Sequence, residues 1–511
     1  MISLRIRLAC ARAAAKVAPE WGRVWLATVW VSLAEHLAFH QRREEAALAA
    51  RTAVRRWLLL HRRRPDRHQA RLAHALGVLA DRLGDIGADD EALAAAERAV
   101  ELVQDHPAAD ANVLATTRHA LSLAYARAGR PDDAMTTIEE AVALLRPAEV
   151  DGARVVRLTP SSRPALAAVL TRFGEFLAGR GRYEEALAAY GEAVVTYQWL
   201  FRRGRWRYTV PYLGAQGERA RQLGALGRYA EALEQVARPL AYFQLMAGAY
   251  PAQYRCVQAA LLADVAEWRG ALGQHDEALD GADLAVALFR HECETQPARA
   301  EAGLAFALRC LGVQLRALNR PAEAVVVLEE ALVIRRRLAA NSSGHLTPLA
   351  NLLTELADTF WALNKRGPSI RLTAERVAVD RQLVVDPRTG PEEGSRMLAR
   401  DLYLLGVRRR AMGQLEDASQ ALEEAVDRLR DLVAGLVSGV EITGGSDPGQ
   451  GPTGRSGVAA IAANPDDQAL LADGLEELAH VYDARGYLVE AFIAIDESTA
   501  IRDRLVFAPR S

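Results

Sequence analysis

Lysine is almost missing from this chain: Lys16 and Lys365 are the two in 511 residues, although 63 residues are basic. Nearly every cation is Arg, a bias that fits a GC-rich genome better than a binding site. The 65 acidic residues cancel the basic ones to a formal charge of −2, which gives no global pull toward nucleic acid or an anionic membrane surface. Cysteine is confined to Cys10, Cys256, Cys293 and Cys310 with no CxxC pair. Neither a disulfide framework nor a zinc cluster is expected, and a reducing cytoplasm fits. No run approaches the roughly 18 apolar residues that span a bilayer, since Trp21 to Phe39 is broken by Arg23, Glu35 and His36. The opening residues alternate Leu and Ile with Arg and lack the continuous apolar core of a secretory signal. Aromatics make up only 6% of a chain dominated by Ala, Leu, Arg and Glu, a composition that favours helices packed closely through small side chains.

What is present is a repeat. The motif Gly-x-x-x-(Glu/Asp)-Ala-x-x-x-x-x-x-Ala places its first Ala at Ala46, Ala92, Ala134, Ala186, Ala232, Ala278, Ala324, Ala418 and Ala491, with Ile370 as a degenerate copy. The steps are 46, 42, 52, 46, 46, 46, 46, 48 and 73 residues. Five residues before this key position stands Gly in seven copies, among them Gly87, Gly227 and Gly413, where a left-handed residue would end one helix and turn into the next. Seven residues after it Ala recurs, as in Ala53, Ala193 and Ala331. Two Ala seven apart share one helix face and admit a close neighbour. Twelve residues upstream a small residue follows a large apolar one, as in Phe173-Gly174, Leu311-Gly312 and Leu405-Gly406. Each unit therefore reads as helix A, a turn and helix B, with an acidic residue in the first turn of B where the helix dipole favours it.

This spacing resembles the tetratricopeptide repeat, stretched from the usual 34 residues to about 46, as in the elongated repeats of actinobacterial multi-repeat proteins. The resemblance implies an all-α, right-handed α-solenoid of about ten helix pairs whose concave groove binds polypeptide. The expected organisation is a capping helix over 1–18, a repeat array over 19–435, a Gly/Pro-rich loop or disordered insertion over 436–467, and a last helix pair with the C-terminal cap over 468–511. A smaller insertion, Val150 to Pro164, accounts for the 52-residue step.

Motifs that could carry chemistry are weak. Gly449 to Ser456 matches GxGxxG and, with Arg455 for Lys, a phosphate loop, but no strand-to-helix context surrounds it and Pro452 removes a donor. His36 and His40 are spaced i, i+4 beside Glu35 without a third ligand. No catalytic constellation, metal or cofactor is expected, and the chain reads as a non-enzyme. The stretch Tyr197 to Tyr212 interleaves Trp199, Phe201 and Trp206 with Arg202, Arg203 and Arg205. It could pack between helices, anchor a protein partner or stack on nucleic acid, the last disfavoured by the near-neutral chain.

The leading functional expectation is a protein-interaction scaffold that holds a partner peptide or domain in the groove; the alternative is a peptide- or ligand-sensing module acting on a separate effector. In the family the residues 18, 15, 11 and 8 before the key Ala tend to face the groove. This implies Arg221, Glu267, Phe306, Arg309 and Arg316 as partner-binding residues, with Trp199, Arg203, Arg205 and Trp206 as a secondary candidate. The set does not match the Lys/Asn clamp by which some relatives hold a C-terminal carboxylate.

Overall fold

A computed structural model describes Cys10 and residues 19–104, 110–146, 149–150, 153–154, 162–204, 206–386, 390–438 and 464–507. The expected capping helix over 1–18 and the phosphate-loop-like Gly449 to Ser456 thus lie, apart from Cys10, outside the described residues. Among those described, twenty α-helices form ten A/B pairs: α1 Pro19–Phe39 and α2 Arg43–His61, α3 Pro65–Gly84 and α4 Asp89–Val103, α5 Ala111–Arg127 and α6 Pro131–Leu145, α7 Arg163–Ala178 and α8 Tyr183–Arg202, α9 Thr209–Ala225 and α10 Tyr229–Ala249, α11 Pro251–Ala271 and α12 His275–Thr295, α13 Pro297–Ala317 and α14 Pro321–Asn341, α15 Leu346–Ala362 and α16 Arg366–Val384, α17 Pro391–Arg410 and α18 Leu415–Ser438, α19 Pro465–Ala484 and α20 Leu488–Phe507. A two-residue antiparallel pair, Glu149 opposite Arg154 and Val150 opposite Ala153, sits in the smaller insertion. No described helix is long and apolar enough to cross a membrane.

The chain divides into two bodies, residues 1–273 and 274–511. Within each, helices pack on their chain neighbours, and successive A helices also touch, as α3 does α5 and α13 does α15. The turn between A and B explains the regularity. Five residues before every key position the backbone is left-handed: at Gly in seven repeats, and at Gln41, Asn319 and Asn364, each with φ 59°, in the other three. Asn tolerates this conformation better than most residues with a side chain. Asn364 also corrects the eighth repeat. Its key residue is Ser369, fully buried, and not the half-buried Ile370.

Small residues at −12 are required by the core. A Cβ on Gly312 would lie 2.5 Å from Leu328, one on Gly406 2.5 Å from Leu422, and one on Gly174 2.9 Å from Tyr190. Each of these partners stands four residues after the key Ala, so helix A leans on helix B at one fixed point per repeat. Ala278 and Ala324 are wholly buried. Ala278→Leu or Ala324→Leu is expected to overpack this contact and cost roughly 1–3 kcal/mol, read as a lowered thermal midpoint; unchanged melts would contradict the frame. A second recurrent device escaped the motif. Arg four residues before the key position pairs with the acid at −1: Arg42 with Glu45 at 2.6 Å, Arg182 with Glu185 at 2.7 Å, Arg228 with Glu231 at 2.8 Å and Arg320 with Glu323 at 2.7 Å. These pairs are exposed and screened by solvent, so each adds little to stability.

Candidate functional site

On α13 the residues Ala302, Phe306, Arg309, Val313 and Arg316 follow the 4-3-4-3 spacing of one helix face, and all are half-buried while their flanking neighbours are largely sealed. The Arg309 guanidinium lies 5.3 Å from the centre of the Phe306 ring, a cation–π distance. Arg316 Nη2 donates to Glu355 Oε2 on α15 at 2.7 Å. The face is therefore amphipathic: an aromatic flanked by two arginines, of which Arg316 pairs with Glu355.

The other two partner-binding candidates belong to the N-terminal body. Arg221 on α9 is half-buried; its Nε donates to Asp264 Oδ2 on α11 at 2.7 Å, and its Nη1 donates to Glu218. Asp264 and then Glu218 hold the guanidinium protonated well above its ordinary range, while burial pushes the Asp264 carboxyl upward against the pull of Arg221. Glu267 sits half-buried one turn beyond Asp264 on the same helix. Sequence reasoning missed the carboxylates that complete these contacts. Residues three before Glu175, Arg221 and Glu267 are Arg172, Glu218 and Asp264, and Arg172 pairs with Glu175 as Glu218 does with Arg221. The signal was an i, i+3 charge pair at one repeat position, visible only once position −14 is aligned along with −11.

Trp199 on α8 is sandwiched by cations, with the Arg163 and Arg203 guanidinium carbons 4.1 and 4.2 Å from its ring centre. Phe201 stacks on Tyr212 at 6.0 Å and Tyr197 tilts over Tyr208 at 6.3 Å, so these four rings tie α8 to the start of the next A helix. Trp206 opens the short 3-10 turn Trp206–Tyr208, and Arg205 lies outside the described residues. The same stretch borders a cavity of about 570 Å³ in the N-terminal body, walled by Phe39, His40, Val210, Pro211, Tyr242 and Tyr254. His40 Nδ1 and Gln253 Nε2, 3.3 Å apart, join the end of α1 to α11 beside it. His36 and His40 meet edge to face at 4.5 Å, and burial together with His40 lowers the His36 pKa. Among the described residues no group of three His, Cys, Asp or Glu side chains is placed to hold a metal ion.

Residues 307–341, which span most of α13 and all of α14, match the model of the tetratricopeptide repeat. Comparison with curated proteins gives no match. Among solved structures, the apo form of RapI is similar with a TM-score of 0.50 at 12% identity, covering 80% of this chain and 99% of its own. BtubC (BKLC) from P. vanneervenii matches with a TM-score of 0.38 at 17% identity over 55% of this chain and 94% of that one. A Rap protein complexed with competence and sporulation factor matches with a TM-score of 0.38 at 10% identity over 86% and 99%. At these identities the likeness concerns fold. With the family model matched in the seventh repeat and the left-handed turn recurring in all ten, the chain is a tetratricopeptide-like repeat protein, an all-α solenoid of helix pairs.

Proposed function

We propose that this chain is a protein-interaction scaffold, and that the exposed face of α13 is where a partner segment docks. The observation that carries the reading is the half-buried stripe Phe306, Arg309 and Arg316, set among the buried Leu304, Ala305, Leu308, Leu311 and Leu315 of the same helix. An aromatic ring beside guanidinium groups suits an amphipathic segment, whose apolar side chain covers Phe306 while its carboxylates meet the arginines. Stacked repeats supply extended surface of this kind and little else, which favours binding over catalysis. Arg221 and Glu267 would serve a comparable role on the N-terminal body; there Arg221, already paired with Asp264 and Glu218, offers a neutralised surface. The test is affinity capture from native extract with the full chain and with Arg309→Gln combined with Arg316→Gln. Gln is preferred to Glu because Glu355 faces Arg316. The double variant is expected to lose at least tenfold of a protein retained by the wild type, with an unchanged circular dichroism spectrum. Equal retention by both overturns the assignment of the face.

A further inference from the structure

The chain is near neutral as a whole, yet residues 51–71 carry eight arginines and a single acid, Asp66. They lie where the end of α2 and the start of α3 pack beside α1. Arginines near the C-terminus of α2 complement its dipole, which accounts for those that point to solvent. It does not account for Arg56. Ten residues after the key position, helix B carries an apolar residue in seven repeats, as in Leu102, Leu288 and Ile334. Arginine stands there twice. Arg428 is answered by Glu424 on its own helix at 3.1 Å. Arg56 is half-buried and meets no carboxylate among the described residues, and its Nε is sealed from solvent without an acceptor.

Arg56 borders a cavity of about 330 Å³, walled also by Arg23 of α1, Leu59 and Leu60 of α2, and Arg63 of the turn that follows. Arg23, Leu60 and Arg63 are shared with an adjoining cavity of about 210 Å³, which Glu20, Arg64 and His68 complete. Three guanidinium-bearing side chains thus surround the larger chamber, and no acid stands in its wall. Glu20, the acid of the smaller chamber, is engaged by Arg64 at 3.0 Å and Arg67 at 3.5 Å. Neither Arg23 nor Arg63 has an ion pair among the described residues. His68, only 2% exposed, packs on Trp57 with ring centres 5.9 Å apart. Its Nδ1 is buried with no hydrogen-bond partner. Two polar atoms sealed and unsatisfied beside one cationic space cost the free chain stability, and an anion with several acceptor oxygens would relieve that cost.

We propose that these joined chambers bind a phosphoryl group, its oxygens held by Arg23, Arg56 and Arg63 in the larger one, with His68 Nδ1 meeting the adjoining part of the ligand in the smaller. Charge and valence select the anion. Three guanidiniums exceed what one carboxylate neutralises with its two oxygens, whereas a phosphomonoester brings about two negative charges and three strong acceptors. Leu59 and Leu60 add no competing charge to the wall. The site belongs to α1, α2 and α3 of the N-terminal body and is independent of the α13 face.

The experiment uses the full chain at constant ionic strength, with inorganic phosphate as probe, acetate as the carboxylate comparison and calorimetry as the readout. The wild type is expected to bind phosphate saturably and acetate at least tenfold more weakly. Arg56→Met keeps the apolar stem and removes the guanidinium; it is expected to weaken phosphate binding at least tenfold. Arg23→Gln is the second variant, with the same loss expected, and because Arg23 is exposed its replacement leaves the core untouched. Sedimentation with vesicles of phosphatidylcholine and phosphatidate identifies the carrier. Wild-type binding to vesicles that phosphate competes away supports the site with a lipid headgroup as the source, and phosphate binding without vesicle binding supports it with a soluble phosphate compound. The site is overturned if the wild type shows no saturable phosphate binding, if both variants bind phosphate as tightly as the wild type, or if acetate binds equally well.

Discussion

Arg376→Ala is expected to destabilise the C-terminal body by roughly 3–5 kcal/mol, the cost of removing one partner from a buried ion cluster. The cluster is the polar core of the eighth repeat. Ser369, Thr373, Arg376 and Asp380 occupy the key position and the +4, +7 and +11 positions, which the seventh repeat fills with Ala324, Leu328, Ala331 and Arg335. Arg376 Nε meets Asp380 Oδ2 and Asp401 Oδ2, both at 2.9 Å, with the three residues nearly or wholly inaccessible. Ser369 Oγ donates to the Ala357 carbonyl at 2.8 Å, and Arg408 Nη1 donates to Thr373 Oγ1 at 2.5 Å while its other end holds Asp358. Truncating Arg376 strands two carboxyls without a cation. Urea denaturation is expected to show the midpoint falling with an unchanged slope. A companion variant carrying Arg376→Ala, Asp380→Leu and Asp401→Ala restores residues used at those positions elsewhere in the chain, at Ala331, Leu429 and Ala307. It is expected to recover most of the loss, because apolar replacement of a whole buried ion cluster is often neutral or better. If the triple variant is no more stable than the single one, packing around the cluster and not its unpaired charge sets the cost.

That same core marks the limit of what the sequence disclosed. The turns, the two Ala and the small residue at −12 were legible because each answers a constraint imposed identically in repeat after repeat: a left-handed backbone, a close helix approach, a fixed lean of A on B. Where a repeat meets the constraint with other residues, the pattern misleads. Asn364 turns the chain as Gly does elsewhere, so without Gly to mark it the register slid by one, to Ile370, the apolar neighbour of the true key residue Ser369. Nothing in the sequence by itself marks Arg376, Asp380 and Arg335 as buried, because charge is ordinarily exposed; only alignment to the corrected frame places them in the core. The candidates Arg221 and Arg316 were named by position alone, but the carboxylates they pair with, Asp264 and Glu355, come from the next A helix about 40 residues on. No local pattern announces a partner at that distance.

Asp380→Asn is expected to change the pH dependence of stability, with the direction fixed by the structure. Burial, then a hydrogen bond shared with Asp401, raise the Asp380 carboxyl from 3.8 to about 7 against the opposing pull of Arg376. The geometry gives the reason. Oδ2 accepts from Arg376, whereas Oδ1 is buried without a donor, an arrangement that is costly for a carboxylate and satisfied once the carboxyl is protonated and donates to Asp401. One proton then balances two carboxyls against one guanidinium. Below pH about 4 both folded and unfolded chains hold this proton, and the group contributes nothing to the pH slope. Between about 4 and 7 the unfolded chain releases it while the folded chain keeps it, so stability falls as pH rises, by on the order of 4 kcal/mol in total. Above 7 the folded chain has released it too, and the loss is complete. Asn has the shape of the protonated acid, can accept from Arg376 and donate to Asp401, and does not titrate. Urea midpoints measured at pH 5 and pH 8 are therefore expected to show the wild type losing more stability between the two than Asp380→Asn does, with the variant the more stable protein at pH 8. Parallel pH profiles for the two proteins would mean that Asp380 is ionised in the core throughout, its charge carried by Arg376 alone.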